Sequence, residues 1–422
     1  MNSFRLVGGH FIAKSRLFST QPLSKSPIFT PKTPEFHPKY GIFATFPPFW
    51  THFPHGMTRC CTFAAFLCRT RVGPSTSSGT SAPSKLRAPE PVEGPDPKSN
   101  LIENEMKIIG TGSAVPSLTV TNDDLATFLD TNDAWITTRT GIQARHLLSN
   151  EDLYDLAVDA ANKAIAASGL RPDQIDFLLV SNVANRHITP GLSCIVQKRI
   201  GLSCAGLDIN VACAGFVNAL MLADSMIKAG HAKNILILCA EEPTKYCNWH
   251  ERDCSVLFGD GAGAVVLTEG TAFKDVKLTM ISDRDVLYYE RGMETTPFEQ
   301  HYVKGQPLVM KGKELFKTAV TESAKDIQNV LDYNHLTCDD IDWFLLHQAN
   351  KRIIEGIRHI IGGPEEKYPT VIEKYGNTSS ASIPIMLDEM LRAGKIKQGD
   401  KIIMSAFGAG FVSAACLWEW EV

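Results

Sequence analysis

The sequence predicts an α/β fold of two duplicated halves with helices layered on mixed sheets, and three observations carry the prediction. Apolar runs of buried-strand length alternate with amphipathic helical stretches. Segments of the first half recur in the second at an offset of 162 to 166 residues. The chain has 422 residues, 44% apolar and 21% charged, the proportions of a globular protein long enough for two domain-sized cores.

Residues 1–105 stand outside that pattern. They are rich in Pro, Ser, Thr and Phe, carry no sustained period of 2 or 3.6, and include a low-complexity stretch from Gly73 to Asp96, so they are expected to be disordered. Arg5, Lys14, Arg16 and Lys25, with no acid before Glu35, have the composition of an organelle transit peptide. The other reading is an over-extended translation start, preferred because Met106 opens the first strand directly in Lys107-Ile108-Ile109-Gly110. A cytoplasmic location goes with the second reading and an organelle matrix with the first.

The body divides at a seam near residues 270–280, giving halves at 106–273 and 274–422. Leu153-Tyr154-x-x-Ala157-Val158, with Lys163 and Ile165, has the spacing of an amphipathic helix, and Leu315-Phe316-x-x-Ala319-Val320, with Lys325 and Ile327, repeats it. Each helix leads through a Gly or Asn loop into Asp-x-Ile-Asp and a strand-length apolar run, Asp173 to Val180 and Asp339 to Leu346. Asn234 to Cys239 answers Lys401 to Ser405, apolar almost throughout as strands covered on both faces are. The matched strands diverge at one spot, where Val180 leads into Ser181-Asn182 and Leu346 into His347-Gln348. Duplicated halves commonly hold a site between them, so that divergence points to function.

Charge and cysteine usage narrow the classes. Up to residue 105 there are twelve Lys/Arg against six Asp/Glu, and beyond it thirty against forty, so the body is acidic and no nucleic-acid partner is expected. No run of eighteen apolar residues occurs, which argues against a membrane partner. Eleven cysteines at irregular spacings, several inside apolar runs, fit a reducing compartment, and without paired Cys-x-x-Cys or His-x-x-x-His spacing no metal is expected.

Three segments carry residue types suited to acyl transfer. In Asn210-Val-Ala-Cys213-Ala-Gly-Phe216 a short strand (Gly206 to Ile209) runs into a helix reaching Lys228, whose Phe216, Leu220, Met221 and Met226 imply near-complete burial. A cysteine at a helix N-terminus is expected to have a lowered pKa and nucleophilic character, because unpaired N–H groups favour thiolate there. Alone, a cysteine among Ala and Gly is more often a small core residue. His347 ends a strand in Leu345-Leu346-His347-Gln348-Ala349-Asn350, where α/β proteins commonly place functional groups, though a lone histidine there is more often structural. Asn377, in Tyr375-Gly376-Asn377-Thr378-Ser379-Ser380-Ala381-Ser382, could equally be a helix cap. Together, a nucleophile from one half and two hydrogen-bonding side chains from the other make an acyl-transfer constellation.

Six motifs extend the pattern: Asp133-Ala-Trp135-Ile-x-x-Arg139-Thr140-Gly141-Ile142, Ala212-Cys213-Ala214-Gly215-Phe216, Phe258-Gly259-Asp260-Gly261-Ala262-Gly263-Ala264, His347-Gln348-Ala349-Asn350, Tyr375-Gly376-Asn377-Thr378-Ser379, and Ala406-Phe407-Gly408-Ala409-Gly410-Phe411. In their order and spacing residues 106–422 resemble the β-ketoacyl-[acyl-carrier-protein] synthase III family of condensing enzymes. The resemblance implies a thiolase-like αβαβα fold with mixed five-stranded sheets and an initiating role in fatty acid biosynthesis. It implies that Cys213 accepts the acyl group of a coenzyme A thioester, the oxyanion being held by the N–H groups of Cys213 and Ala409. His347 and Asn377 would then donate hydrogen bonds to the thioester carbonyl of a malonyl group on acyl carrier protein as carbon dioxide leaves. Trp135 and Arg252 would sandwich the adenine of coenzyme A, Arg139 would lie near its phosphates, and Gly312, Phe316 and Asn350 would line the pantetheine tunnel. Lys351 and Arg352 would dock the carrier protein, the chain would form a homodimer, and no cofactor beyond the two substrates would be needed.

The sequence departs from the family at Thr189, in His187-Ile188-Thr189-Pro190, where a pocket-closing residue from the partner chain is often Phe. Ala409 replaces a common Gly, and residues 283–305 diverge. The primer is therefore open, and a secondary-metabolite condensing enzyme or acyltransferase of the same fold is the alternative. Asn377 separates the chain from relatives carrying a second His, a second Cys or a Glu in that role. Papain-like hydrolases also use Cys, His and Asn, in another sequence context, and a non-catalytic partner subunit would lack the nucleophile.

Overall fold

The computed structural model describes residues 105–283, 285–292, 298 and 304–421. The expected disordered leader, with Cys60, Cys61 and Cys68, lies outside the described residues except for its last, Glu105, which opens the first strand instead.

In chain order the strands are β1 (Glu105–Ala114), β2 (Leu118–Thr121), β3 (Ala144–Leu147), β4 (Phe177–Ser181), β5 (Ala205–Ile209), β6 (Ile235–Glu241), β7 (Gly261–Gly270), β8 (Phe273–Asp283), β9 (Leu287–Glu290), β10 (Gln306–Met310), β11 (Trp343–Leu346), β12 (Lys401–Gly408) and β13 (Gly410–Glu419). The helices are α1 (Asn122–Ala126), α2 (Asp133–Thr140), α3 (Leu153–Ser168), α4 (Leu192–Ile200), α5 (Gly215–Lys228), α6 (Arg252–Ser255), α7 (Gly312–Tyr333), α8 (Lys351–Ile361), α9 (Ile372–Tyr375) and α10 (Ser382–Arg392).

Two mixed sheets organise these elements. The first runs β1-β7-β6-β4-β5 and the second β8-β13-β12-β11. In both, the first two pairings are antiparallel and the next is parallel, so β1, β7, β6 and β4 correspond to β8, β13, β12 and β11. The repeated helices are α3 and α7, and each is followed by a short 3-10 turn, Pro172–Gln174 or Cys338–Asp340, before its strand. Five strands were expected in each sheet, and the second has four among the described residues. Where β5 stands in the first half, the second passes through Tyr368-Pro369-Thr370-Val371; Pro369 has no N–H to give a ladder, and the Val371 N–H goes to Gln348 Oε1 at 3.0 Å instead.

The strands alternate between layers residue by residue. Ile235, Ile237 and Cys239 of β6 face a central core with α5 and α10, whereas Leu236, Leu238 and Ala240 face α3 and α4. On β12, Ile402, Met404 and Ala406 join the same central core, and Ile403 and Phe407 face α7 and α8. The result is helix, sheet, helix, sheet, helix, with α5 in the middle layer. Phe216 and Leu220 are buried there as expected, but Met221 and Met226 are only half-buried.

Candidate active site

Cys213 lies on a 3-10 turn, Ala212–Ala214, that runs straight into α5. The turn is tight: Ala212 has φ of 47°, left-handed backbone that costs a residue with a Cβ about 1 kcal/mol or more. Two glycines make room for it. A Cβ on Gly215 would stand 1.9 Å from Ser181 Oγ at the end of β4, and one on Gly408 would stand 2.7 Å from the Cys213 backbone N. The nucleophile turn is thus pressed between the ends of one strand from each half.

His347 leaves β11 with its N–H on Ser405 O at 2.8 Å and its ring edge-on to Phe407, centroids 5.3 Å apart. Its Nδ1 lies 2.7 Å from Ser382 Oγ, and that same oxygen accepts the Gln348 N–H at 3.3 Å. A serine oxygen already accepting has its own hydrogen to give, and Nδ1 is the acceptor in reach. The proton of the neutral imidazole therefore sits on Nε2, a buried atom without a protein partner. Burial also drives the imidazole pKa down to about 3, so the ring is a neutral donor at pH 7.

Asn377 follows α9 and is 5% exposed, its backbone bridged to Phe258 by the Asn377 N–H on Leu257 O at 2.8 Å and the Gly259 N–H on Asn377 O at 3.1 Å. Its Oδ1 accepts the Ser379 N–H at 2.8 Å, which fixes the amide so that the two Nδ2 hydrogens are left to donate. Papain-like chemistry would have the asparagine buttress the histidine. Here Ser382 holds His347 and Ser379 holds Asn377, so the two side chains act side by side and the hydrolase reading lapses.

One cavity of about 110 Å³ brings the three together, lined by Cys213, His347 and Asn377, with Phe407, Gly408, Gly312, Phe316 and Asn350 among the rest of its wall. Cys213 is half-buried and lines this cavity, while its thiol lies deep. Against the lowering expected of a helix N-terminus, burial pushes the Cys213 thiol up to about 12, and the nearby Glu241 carboxylate pushes the same way.

The other expected positions are mixed. Ala409 is the single turn residue between β12 and β13, and Gly408 rather than Ala409 lines the cavity. The Trp135 ring has the Arg139 and Arg252 guanidinium carbons 4.8 and 4.7 Å from its centroid. A base slotted between Trp135 and Arg252 needs roughly 7 Å, two van der Waals separations, so the sandwich is closed and must part to admit adenine. The Asn350 amide is engaged at both ends, Nδ2 on Arg139 O at 3.1 Å and Oδ1 capping α8 through the Arg352 N–H at 2.9 Å. Lys351 and Arg352 occupy the first turn of α8, against the helix dipole, with Arg352 over the Phe316 ring at 5.8 Å. Thr189 is exposed and lies outside the cavity wall of its own chain.

Sequence reasoning missed Ser379, Ser382 and Glu241. The serines were hidden in a small-residue loop that looks like a cap, but Glu241 had a signal: it is an acid closing a seven-residue strand that is otherwise wholly apolar. Leu287 and Met310, from β9 and β10, also line the cavity, and Leu287 comes from the segment whose sequence diverges. Among the described residues no group of three or more His, Cys, Asp or Glu could hold a metal, and no helix is long and apolar enough to cross a membrane.

Comparison with known proteins gives the following. The sequence profile described as 3-oxoacyl-[acyl-carrier-protein (ACP)] synthase III matches residues 207–283, and that of its C-terminal region matches residues 331–420. The β-ketoacyl-[acyl-carrier-protein] synthase III of Xanthomonas campestris is 39% identical over 318 residues, 74% of this chain and 98% of that one. The crystal structure of 3-oxoacyl-[acyl-carrier-protein] synthase III from Aquifex aeolicus superposes with a TM-score of 0.69 at 37% identity, covering 75% of this chain and 100% of that one. The priming β-ketosynthase of the R1128 polyketide pathway gives 0.71 at 31% identity, covering 77% and 99%.

Proposed function

The chain belongs to the 3-oxoacyl-[acyl-carrier-protein] synthase III family, and from that membership we propose how its own residues perform the condensation that initiates fatty acid biosynthesis. It is an acyl-condensing transferase. The Cys213 sulfur attacks the carbonyl of an acyl-coenzyme A primer, the oxyanion lies against the N–H groups of Cys213 and, by position, Ala409, and coenzyme A departs. A malonyl group on acyl carrier protein then enters the emptied cavity. Loss of carbon dioxide leaves an enolate whose carbon attacks the acyl-Cys213 carbonyl, and the sulfur is released.

The observation that carries this reading is a pair of donors with no protein acceptor aimed into the cavity that holds the sulfur. His347 Nε2–H is buried and unpartnered, and Asn377 Nδ2–H is turned inward by its tie to Ser379. A buried unsatisfied donor such as His347 Nε2–H costs about 1–3 kcal/mol, so that atom, with the Asn377 amide on the same cavity, favours an oxyanion as its partner. The enolate oxygen fits both.

The finer assignments follow with it. Trp135, Arg139 and Arg252 take the nucleotide end of coenzyme A, Gly312, Phe316 and Asn350 border the pantetheine arm, and Lys351 and Arg352 meet the carrier protein. We infer a homodimer: β5 pairs only with β4 among the described strands and its residues 205–208 are exposed, as is the loop carrying Thr189. The halves 106–273 and 274–422 then act as one unit, in the cytoplasm, without a cofactor. A second reading, a priming enzyme of secondary metabolism, is favoured by the polyketide ketosynthase similarity and by Thr189 in place of a bulky pocket residue.

The test separates the half-reactions. Cys213→Ala abolishes acyl loading measured by intact mass, whereas His347→Ala and Asn377→Ala load normally and do not condense. Loading that survives Cys213→Ala refutes the nucleophile. A panel of acyl-coenzyme A donors, ranked by loading rate, decides between an acetyl primer and the longer or branched primers of the second reading.

A further inference from the structure

Acylation of Cys213 releases a proton, and the three residues so far assigned do not take it. The thiol is protonated at neutral pH, and His347 already carries its proton on Nε2 and resists a second one because burial holds its pKa at about 3. Ser379 Oγ is 3.4 Å from Cys213 Sγ. The same hydroxyl bears on Glu241, a glutamate with no exposed surface at the end of β6. Glu241 accepts the Ser380 O–H at 2.6 Å and the Val183 N–H at 3.1 Å, and Ser380 in turn accepts the Ser181 O–H at 3.0 Å.

Among the described residues no cation is paired with this carboxyl. The titratable groups that feel its charge are Cys213 on the nucleophile turn, Cys239 on its own strand and Tyr246 on the following turn, and burial raises all three so that each is neutral at pH 7. Burial raises Glu241 itself to about 7, its hydrogen bonds limiting the rise. An unpaired carboxyl in a core is a standing cost that a glutamine of the same shape would largely avoid. Its placement one hydroxyl away from the sulfur gives it a use.

We propose that Ser379 and Glu241 form the proton path of the acylation step, Ser379 touching the sulfur and Glu241 accepting through it. The proposal rests on the reading of Cys213 as acyl acceptor. As the sulfur lone pair forms the new bond to the acyl carbon, the thiol proton moves to Ser379 Oγ while the Ser379 hydrogen moves to a Glu241 oxygen. The tetrahedral intermediate collapses, the bond to the coenzyme A sulfur breaks with its electron pair, and the proton returns across the same hydroxyl to that sulfur. Coenzyme A leaves as the thiol and Glu241 is again a carboxylate.

The experiment follows single-turnover acylation of the full chain by acetyl-coenzyme A, stopped and peptide-mapped by mass spectrometry, from about pH 5.5 to about pH 9. Variants are Glu241→Gln, which keeps the shape, and Ser379→Gly, which removes the hydroxyl yet keeps the N–H to Asn377 and suits the backbone φ of 54°. In the wild type the rate rises with pH and levels off as Glu241 ionises. Both variants lose roughly 10²-fold at pH 7, and Glu241→Gln also loses the inflection. A merely electrostatic role predicts the reverse for Glu241→Gln, since removing a negative charge beside the thiol eases its ionisation. Acylation as fast as or faster than wild type in either variant overturns the proposal, and if Glu241→Gln does not fold, Ser379→Gly decides alone. An acyl group mapped in the wild type to a residue other than Cys213 instead sinks the nucleophile assignment.

Discussion

Asn377→Asp exchanges one NH2 group for an oxygen and isolates the donor proposed to stabilise the enolate. The oxygen that accepts the Ser379 N–H at 2.8 Å is kept, so the loop from Asn377 to Ser382, and with it the Ser379 contact to the Cys213 sulfur, has no reason to move. Only the inward face changes. A donor to the enolate oxygen is replaced by a carboxylate oxygen that repels it, in a site 5% exposed. Losing one preorganised donor to a developing oxyanion costs about 2.7–4 kcal/mol, or about 10²–10³ in turnover, and the repulsion adds to that. Acyl loading, which uses neither Nδ2 hydrogen, stays within about twofold of wild type. A buried carboxyl has a raised pKa, so lowering the pH restores a donor O–H and part of the condensation rate. The assay measures the two half-reactions separately, loading by intact mass and condensation by release of labelled carbon dioxide from malonyl carrier protein. Condensation within about threefold of wild type, or loading that falls as far as condensation, would mean that the amide does not face the enolate.

His347 is held neutral with a pKa near 3 against an ordinary 6.5, so the unfolded chain binds its proton first as pH falls. Its contribution to stability is whole above about 6.5 and is lost between there and about 3, at up to about 1.4 kcal/mol per pH unit; His347→Gln removes that slope in urea melts across the range. Gly408→Ala puts a methyl 2.7 Å from the Cys213 N and 2.8 Å from Ala212 Cβ, neither of which can swing aside, and is expected to slow acyl loading roughly 10²-fold while costing about 1–3 kcal/mol in denaturant melts. Trp135→Ala removes the aromatic face proposed to meet adenine and should raise KM for acyl-coenzyme A roughly tenfold with kcat little changed. Lys351→Glu with Arg352→Glu should raise KM for the carrier protein and flatten its salt dependence, leaving acylation by acyl-coenzyme A untouched.

Much of the fold was legible because the repeat is written in apolar periodicity, which survives divergence. Asp173 to Val180 and Asp339 to Leu346 each became a 3-10 turn and a strand, and the helices at Leu153 and Leu315 lie on corresponding strands. The four-strand count of the second sheet among the described residues was harder, since Tyr368 to Val371 still carries apolar residues and only the proline hints that the ladder fails. At the site, Cys213, His347 and Asn377 could be found from motifs, and the cavity joins them. The electrostatics could not. A helix N-terminus argues for thiolate in any sequence, but how deeply a sulfur is buried, and that a carboxyl from another strand lies near it, exist only in three dimensions. The tautomer of His347 depends in the same way on Ser382, thirty-five positions away.

The matched strands β4 and β11 end at equivalent places, one in Ser181 and the other just before His347. Two identical half-length chains associating about a twofold axis would be obliged to present the same group at both places, two imidazoles or two hydroxyls. Tandem copies on one polypeptide lift that constraint. Each copy can then be revised without editing the other, which is how a sulfur from one comes to face a pair of donors from its twin.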